Sequence, residues 1–172
     1  MKITLQISDQ RYLDGANRYC SEPCLLSILD LGHPTPWSAS DMQRLRARLK
    51  TALPGLRQGR SLIGVVGDDV DAPGRGLQLA RLIQSVAIEL HRLTGDEVLM
   101  GFVGRVPKMP GRYRLILPFR CGTVANAALK LATELVGALL EDKEYPLAEG
   151  LAELRGIAAA GAPSPSAIRI AA

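Results

Sequence analysis

Apolar side chains recur along this chain at two periods, and the change from one to the other lays out its elements. Ile3, Leu5 and Ile7 alternate with polar neighbours, so a strand is predicted over Lys2 to Ile7, ending at the polar Ser8-Asp9-Gln10. Asp14-Gly15-Ala16-Asn17 is a turn signal. Pro23 to Leu31 is almost continuously apolar, closes on Asp30 and Gly32, and reads as a buried strand. Two prolines between His33 and Trp37 impose a loop. Ser38 or Ser40 then caps a helix with Asp41 in its first turn. Its apolar positions Met42, Leu45, Leu49, Leu53 and Leu56 recur at helical spacing.

Ser61 to Val66 suits a short strand, and Gly67 to Gly76 a loop. From Leu77 to Leu93 a wide apolar face predicts a second helix, stopped by Gly95. Two strands follow, Val98 to Val103 and Tyr113 to Phe119, joined by a connection long enough to have a job of its own. The segment Thr123 to Leu140 is a helix apolar nearly all round, which belongs in the centre of a core or in an interface. A shorter helix runs from Leu147 to about Ala159, and the tail then turns to Ala, Pro and Ser. The order is mixed, with hairpin-like neighbours and no regular βαβ alternation or internal repeat. It predicts an α+β fold: a single domain with a mixed, largely antiparallel sheet packed against about four helices. The domain is expected over residues 1–160, with 161–172 as a linker.

Composition narrows the picture. The 172 residues are 47% hydrophobic, 22% charged and 4% aromatic, so an aliphatic core is expected in an ordinary globular chain. The net charge of +4 favours anionic partners without the dense basic stripe of a nucleic-acid binder. No uninterrupted apolar run reaches the length of a membrane span, and MKITLQISDQ lacks the features of a signal peptide. Cys20, Cys24 and Cys121 then read as reduced thiols, and a cytoplasmic location is expected. Cys20 and Cys24 do not have CxxC spacing, and His33 and His91 are the only histidines, so no metal site is predicted.

Candidate chemistry concentrates between the last two strands. Arg105, Lys108, Arg112 and Arg114 fall within one short stretch, interrupted by Pro107 and Pro110 that limit its collapse. Arginine suits forked contacts with carboxylates or phosphates, and lysine adds a point charge. The stretch reads equally as a soluble hairpin tip. Asp68, Asp69 and Asp71 could ligate a hard cation, although an acidic surface turn explains them better. Arg44, Arg46, Arg48 and Lys50 read as a solvated helix face. Glu89, on a mostly apolar helix, suits a partly buried ion pair. It does not share a face with His91 two positions on. No phosphate loop, dinucleotide fingerprint or activated serine is present, and no catalytic residue is assigned.

Several of these segments, read in order, resemble the N-terminal domain of cyanophycin synthetase and its relatives. Gly15-Ala16-Asn17 stands where that family has Gly-Pro-Asn, and Pro23 to Gly32 ends in a similar Asp-hydrophobic-Gly. Leu53-Pro54-Gly55-Leu56 is similar to its Leu-Pro-x-Leu, and Val86 to Leu90 to its Ile-Ala-Leu-Glu-Leu, followed by Leu93-Thr94-Gly95. Gly101-Phe102, Pro110-Gly111-x-Tyr113, Leu140-Glu141-Asp142 and the tail Pro163 to Ile168 complete the series. Three departures fall where ligand contacts are expected. Arg81-Leu82-Ile83-Gln84-Ser85 replaces His-Ile-Val-Glu-His, and Val103 to Pro107 replaces a Gly-Arg-Thr-Arg segment. The patch from Asp68 to Gly76 is altered as well.

In that family the domain precedes an ATP-grasp domain and a Mur-ligase-like domain, which elongate an aspartate/arginine polymer by ATP-dependent amide formation. The resemblance implies a non-catalytic domain that tethers the polymer, with ATP and Mg²⁺ used by the ligase domains and no cofactor in this chain. Arg81, Arg105, Lys108, Arg112 and Arg114 would meet polymer carboxylates, and Glu89 its arginine side chains. The expected partners are that polymer or a similar polypeptide and the ligase domains of a parent chain, with a homo-oligomer open and no membrane. Two alternatives stand beside it. One is a structural or oligomerisation module built on Thr123 to Leu140, in a divergent member with another substrate. The other is a weak nucleic-acid module built on Arg44 to Lys50, against which the lack of stacking aromatics argues.

Overall fold

The computed structural model describes residues 5–32, 35–59, 61–65, 74–96 and 100–161. Five strands are formed: β1 (Gln6–Leu13), β2 (Cys24–Asp30), β3 (Leu62–Val65), β4 (Met100–Arg105) and β5 (Arg112–Pro118). Four helices accompany them: α1 (Ala39–Ala52), α2 (Arg75–Leu93), α3 (Gly122–Leu140) and α4 (Leu147–Gly161). The sheet has the order β1-β2-β5-β4-β3, antiparallel except for the parallel β3–β4 pair. The domain is therefore α+β with a largely antiparallel mixed sheet. One βαβ unit, β3-α2-β4, sits inside it where no regular alternation was expected.

The first strand corrects the sequence expectation. β1 runs through Ser8-Asp9-Gln10 instead of ending before them, and pairs with β2 from Gln6↔Asp30 to Leu13↔Cys24 with a bulge between Ile7 and Asp9. It is an edge strand whose side chains are mostly exposed, so polar residues cost little there and pairing to β2 carries the strand. Residues 1–4, part of the strand expected from Lys2, lie outside the described residues, as do His33, Val98 and Leu99.

Local chemistry sets the helix ends. Ser38 caps α1: its hydroxyl accepts from Asp41 N at 3.2 Å, and the Asp41 carboxylate accepts from Ser38 N at 2.8 Å. Those bonds, the backbone N–H of Ser38 first, hold the Asp41 carboxyl below its usual range. The predicted helix does not reach Leu56. Pro54 has no N–H to continue it, and Pro54–Gln58 forms a 3₁₀ turn instead. α2 begins at Arg75, two residues before the expected start, with Gly74 as its N-cap and no side-chain cap. Residues 66–73, which include the Asp68-Asp69-Asp71 group, lie outside the described residues.

The core forms on one face of the sheet. Leu25 and Leu29 of β2, Val103 of β4, and Tyr113, Leu115 and Leu117 of β5 meet Ile83, Val86, Ala87 and Leu90 of α2 and the buried side of α3. α1 and α4 pack on α3. α3 has the length and mean hydropathy (1.3) of a membrane span although polar residues interrupt it, and 56% of that window is buried inside the fold. Its apolar circumference is covered by this chain's own α1, α2, α4 and sheet, which places it in the core rather than leaving it as an open interface.

Candidate binding cleft

A cleft of about 520 Å³ opens where the first turn of α2 faces the β4–β5 hairpin. Gly74, Arg75 and Gly76 form one wall, and Arg105, Lys108 and Arg112 the other. The hairpin connection, 106–111, is held by short-range bonds: Met109 N to Val106 O at 3.2 Å and Arg112 N to Met109 O at 3.2 Å. Pro107 presets the first bend, and Lys108 follows with φ +62°. Gly111, at φ +82°, closes the loop, and its carbonyl accepts from Leu31 N at 2.8 Å. The loop is thereby tied to the end of β2 and cannot swing freely.

Tyr113 fixes the other side of the cleft. Its ring reaches the first turn of α2 so closely that a Cβ on Gly76 would lie 2.0 Å from the hydroxyl. The Pro110-Gly111-x-Tyr113 motif therefore has a structural task, holding the hairpin at a set distance from the helix end.

Electrostatics favours an anion here. The first-turn N–H groups of a helix have no intrahelical partner, and the helix dipole adds partial positive charge. Arg75 leans on the Trp37 carbonyl (Nη1 to O, 3.0 Å), which leaves its other donors facing outward. Arg112 is paired with Asp30 across the β2–β5 ladder at 3.4 Å, so its charge is partly balanced. Lys108, at the exposed tip, makes no ion pair among the described residues. Arg105 interacts within the fold and lies near Gly74.

Three of the six sequence-predicted site residues are thus brought together: Arg105, Lys108 and Arg112. The other three are elsewhere. Arg114 sits in β5 between Ile28 and Gly104, half-buried on the sheet face turned away from α2. Arg81 is exposed on α2, beyond the residues that line the cleft. Glu89 is 5% exposed and faces the 3₁₀ turn, where Arg92 clasps its carboxylate through Nε (3.0 Å to Oε2) and Nη2. A Cβ on Gly55 would fall 2.0 Å from the Glu89 carboxylate, so Leu53-Pro54-Gly55-Leu56 and Val86 to Leu90 are two halves of one packing contact.

Sequence reasoning missed Arg75 and the α2 N-terminus because Gly74-Arg75-Gly76 read as loop. The signal was an uncapped glycine immediately ahead of a periodic apolar helix. It also missed Gln84, fully buried, whose Nε2 donates to Ile116 O at 2.7 Å. An ionised glutamate, the family's residue in the corresponding segment, could not make that bond. Asn17 likewise proves to be an organiser of the β1–β2 loop. Its amide donates to Asp14 O (3.0 Å) and Glu22 O (2.9 Å), and its Oδ1 accepts from Tyr19 N (2.9 Å) and Cys20 N (3.1 Å).

Comparison with known families bears directly on this geometry. The model of the cyanophycin synthase-like N-terminal domain matches residues 27–141, from within β2 to the end of α3, with the whole cleft inside the match. The chain belongs to this family. No curated protein matches it. Family membership accounts for the shared scaffold, and Arg105, Val106 and Pro107 of the departure segment are among the residues that line the cleft.

Proposed function

We propose that this member of the cyanophycin synthase-like family is a non-catalytic domain that tethers an aspartate/arginine-type polymer for an ATP-dependent amide ligase. The observation that carries the reading is the convergence of Arg75, Arg105, Lys108 and Arg112 with an uncapped helix N-terminus around one open cleft. Carboxylates along a polymer would meet forked guanidinium donors and backbone N–H groups there. Such contacts are individually weak at a solvated surface, but a repeating ligand offers many equivalent copies, and tethering raises their effective concentration near an active site. In this reading ATP and Mg²⁺ act in ligase domains of a parent chain, and this domain holds the substrate.

The basic face of α1 supports this reading over nucleic-acid binding. Arg44 is paired with Asp41 at 2.7 Å, and Arg48 with Asp142 at 2.6 Å, so the helix does not present an open cationic stripe.

Calorimetry with soluble cyanophycin segments tests the proposal, beside an Arg105→Ala/Lys108→Ala/Arg112→Ala variant. Saturable binding that weakens as salt rises and is lost in the variant is expected. Absence of binding at low salt would remove the tethering role.

A further inference from the structure

A second groove, of about 700 Å³, runs along the opposite margin of the sheet between β1 and α3. β1 is an edge strand, so alternate backbone N–H and C=O groups point away from β2 and have no ladder partner among the described residues. Its two ends are pinned to α3. Leu5 lies against Gly137, and the Tyr12 hydroxyl reaches Gly122 O at 3.4 Å. The two elements therefore run side by side in opposite directions. Their spans agree: Leu5 to Tyr12 covers about 23 Å as a strand, and Gly122 to Gly137 about 22 Å as a helix.

The helix wall is polar. Asn126, Lys130 and Glu134 are exposed along it, one turn apart. Lys130 makes no ion pair among the described residues, while Glu134 accepts from the Tyr145 hydroxyl at 2.7 Å through one oxygen and keeps the other. Lys130 and Glu134 are about 6 Å apart along the helix axis. Successive same-face residues of a strand are about 6.7 Å apart. A strand laid beside β1 would hence bring one side chain opposite the ammonium and the next same-face side chain opposite the carboxylate.

We propose that this groove binds an extended polypeptide as a sixth strand on β1, with α3 selecting an acidic and a basic side chain two residues apart through Lys130 and Glu134. Main-chain bonds to the edge supply affinity, and the helix charges supply register and direction. The β1 side of the groove runs from Gln6 to Gln10, opposite Lys130 and Glu134, so this stretch, with the bulge at Ile7–Asp9 inside it, is the pairing segment. The strand-addition site stands on its own geometry and does not rest on the tethering reading. β1 also lies outside the residues matched by the family.

The test uses the whole chain and a labelled synthetic peptide repeating Thr-Asp-Thr-Arg, followed by anisotropy and by hydrogen exchange over Gln6–Leu13. Saturable binding with slowed exchange in β1 is expected, and methylation of alternate peptide nitrogens should abolish it. A Lys130→Glu/Glu134→Lys exchange should weaken binding about fivefold, and the Arg105/Lys108/Arg112 variant should leave it unchanged. Unchanged β1 exchange, or equal binding by the methylated peptide, overturns the site. So does β1 protection without peptide that grows with protein concentration, since a second copy would then occupy the edge. Cyanophycin segments in parallel separate the two readings. Binding lost in the cleft variant with β1 unprotected leaves the tether and removes the strand site. Peptide bound on β1 with no cyanophycin binding does the reverse.

Discussion

Lys108 joins a strained backbone to a charge in the proposed binding cleft. Its φ of +62° lies in the left-handed region that glycine occupies freely and a lysine does not. Lys108→Gly should therefore raise stability by about 1 kcal/mol in urea unfolding while weakening polymer binding in the same calorimetric assay. A lysine that merely decorated a soluble turn would show the first effect without the second. The charge of this residue was legible in the sequence, and its backbone conformation was not, because strain depends on the turn that Pro107 and Gly111 impose together. Asn17 and Gly55 teach the same lesson from the other side. Each stood out as part of a motif, but the task of Asn17 is to gather four backbone groups of one loop, and that of Gly55 is to leave room for the Glu89 carboxylate.

Between elements, the cleft depends on the spacing of α2 from the β4–β5 hairpin, and Tyr113 sets that spacing. Gly76→Ala would drive a methyl into a rigid, 7% exposed ring. It should cost about 1–3 kcal/mol, measured by denaturant midpoint, and should weaken polymer binding because Arg75 moves away from Arg105 and Lys108. The interior elements were legible from the chain because their faces are sharply divided: β2, β5, α2 and α3 were each placed within a few residues. β1 was misplaced because an edge strand exposed on most positions has no hydrophobic period to read. The N-terminus of α2 was missed for a related reason, since its wall of the cleft consists of backbone N–H groups and a glycine cap that carry no side-chain signature.

The molecule as a whole hangs on a one-sided core, and the first residue of β2 carries a group that reports on the folded state. Burial, with the Cys20 thiol as hydrogen-bond partner, pushes the Cys24 thiol up to about 12 from an ordinary 9.0. An unfolded chain would release that proton first. The contribution is thus whole below pH 9 and is lost as pH rises through about 12. Urea midpoints should fall more steeply from pH 9 to pH 11 in the wild type than in Cys24→Ala. The outer layout of the domain has a further consequence. Gly161, the last residue of α4, is seated beside Cys121 at the start of α3, with the Cys121 thiol bonded to its carbonyl at 3.2 Å. Arg112 and the cleft lie at the other end of β5, about 20 Å away along the strand. The end of α4 and the proposed binding cleft therefore stand at opposite ends of β5, so that, in the tethering reading, the domain would act as a ruler between a captured polymer and whatever adjoins α4.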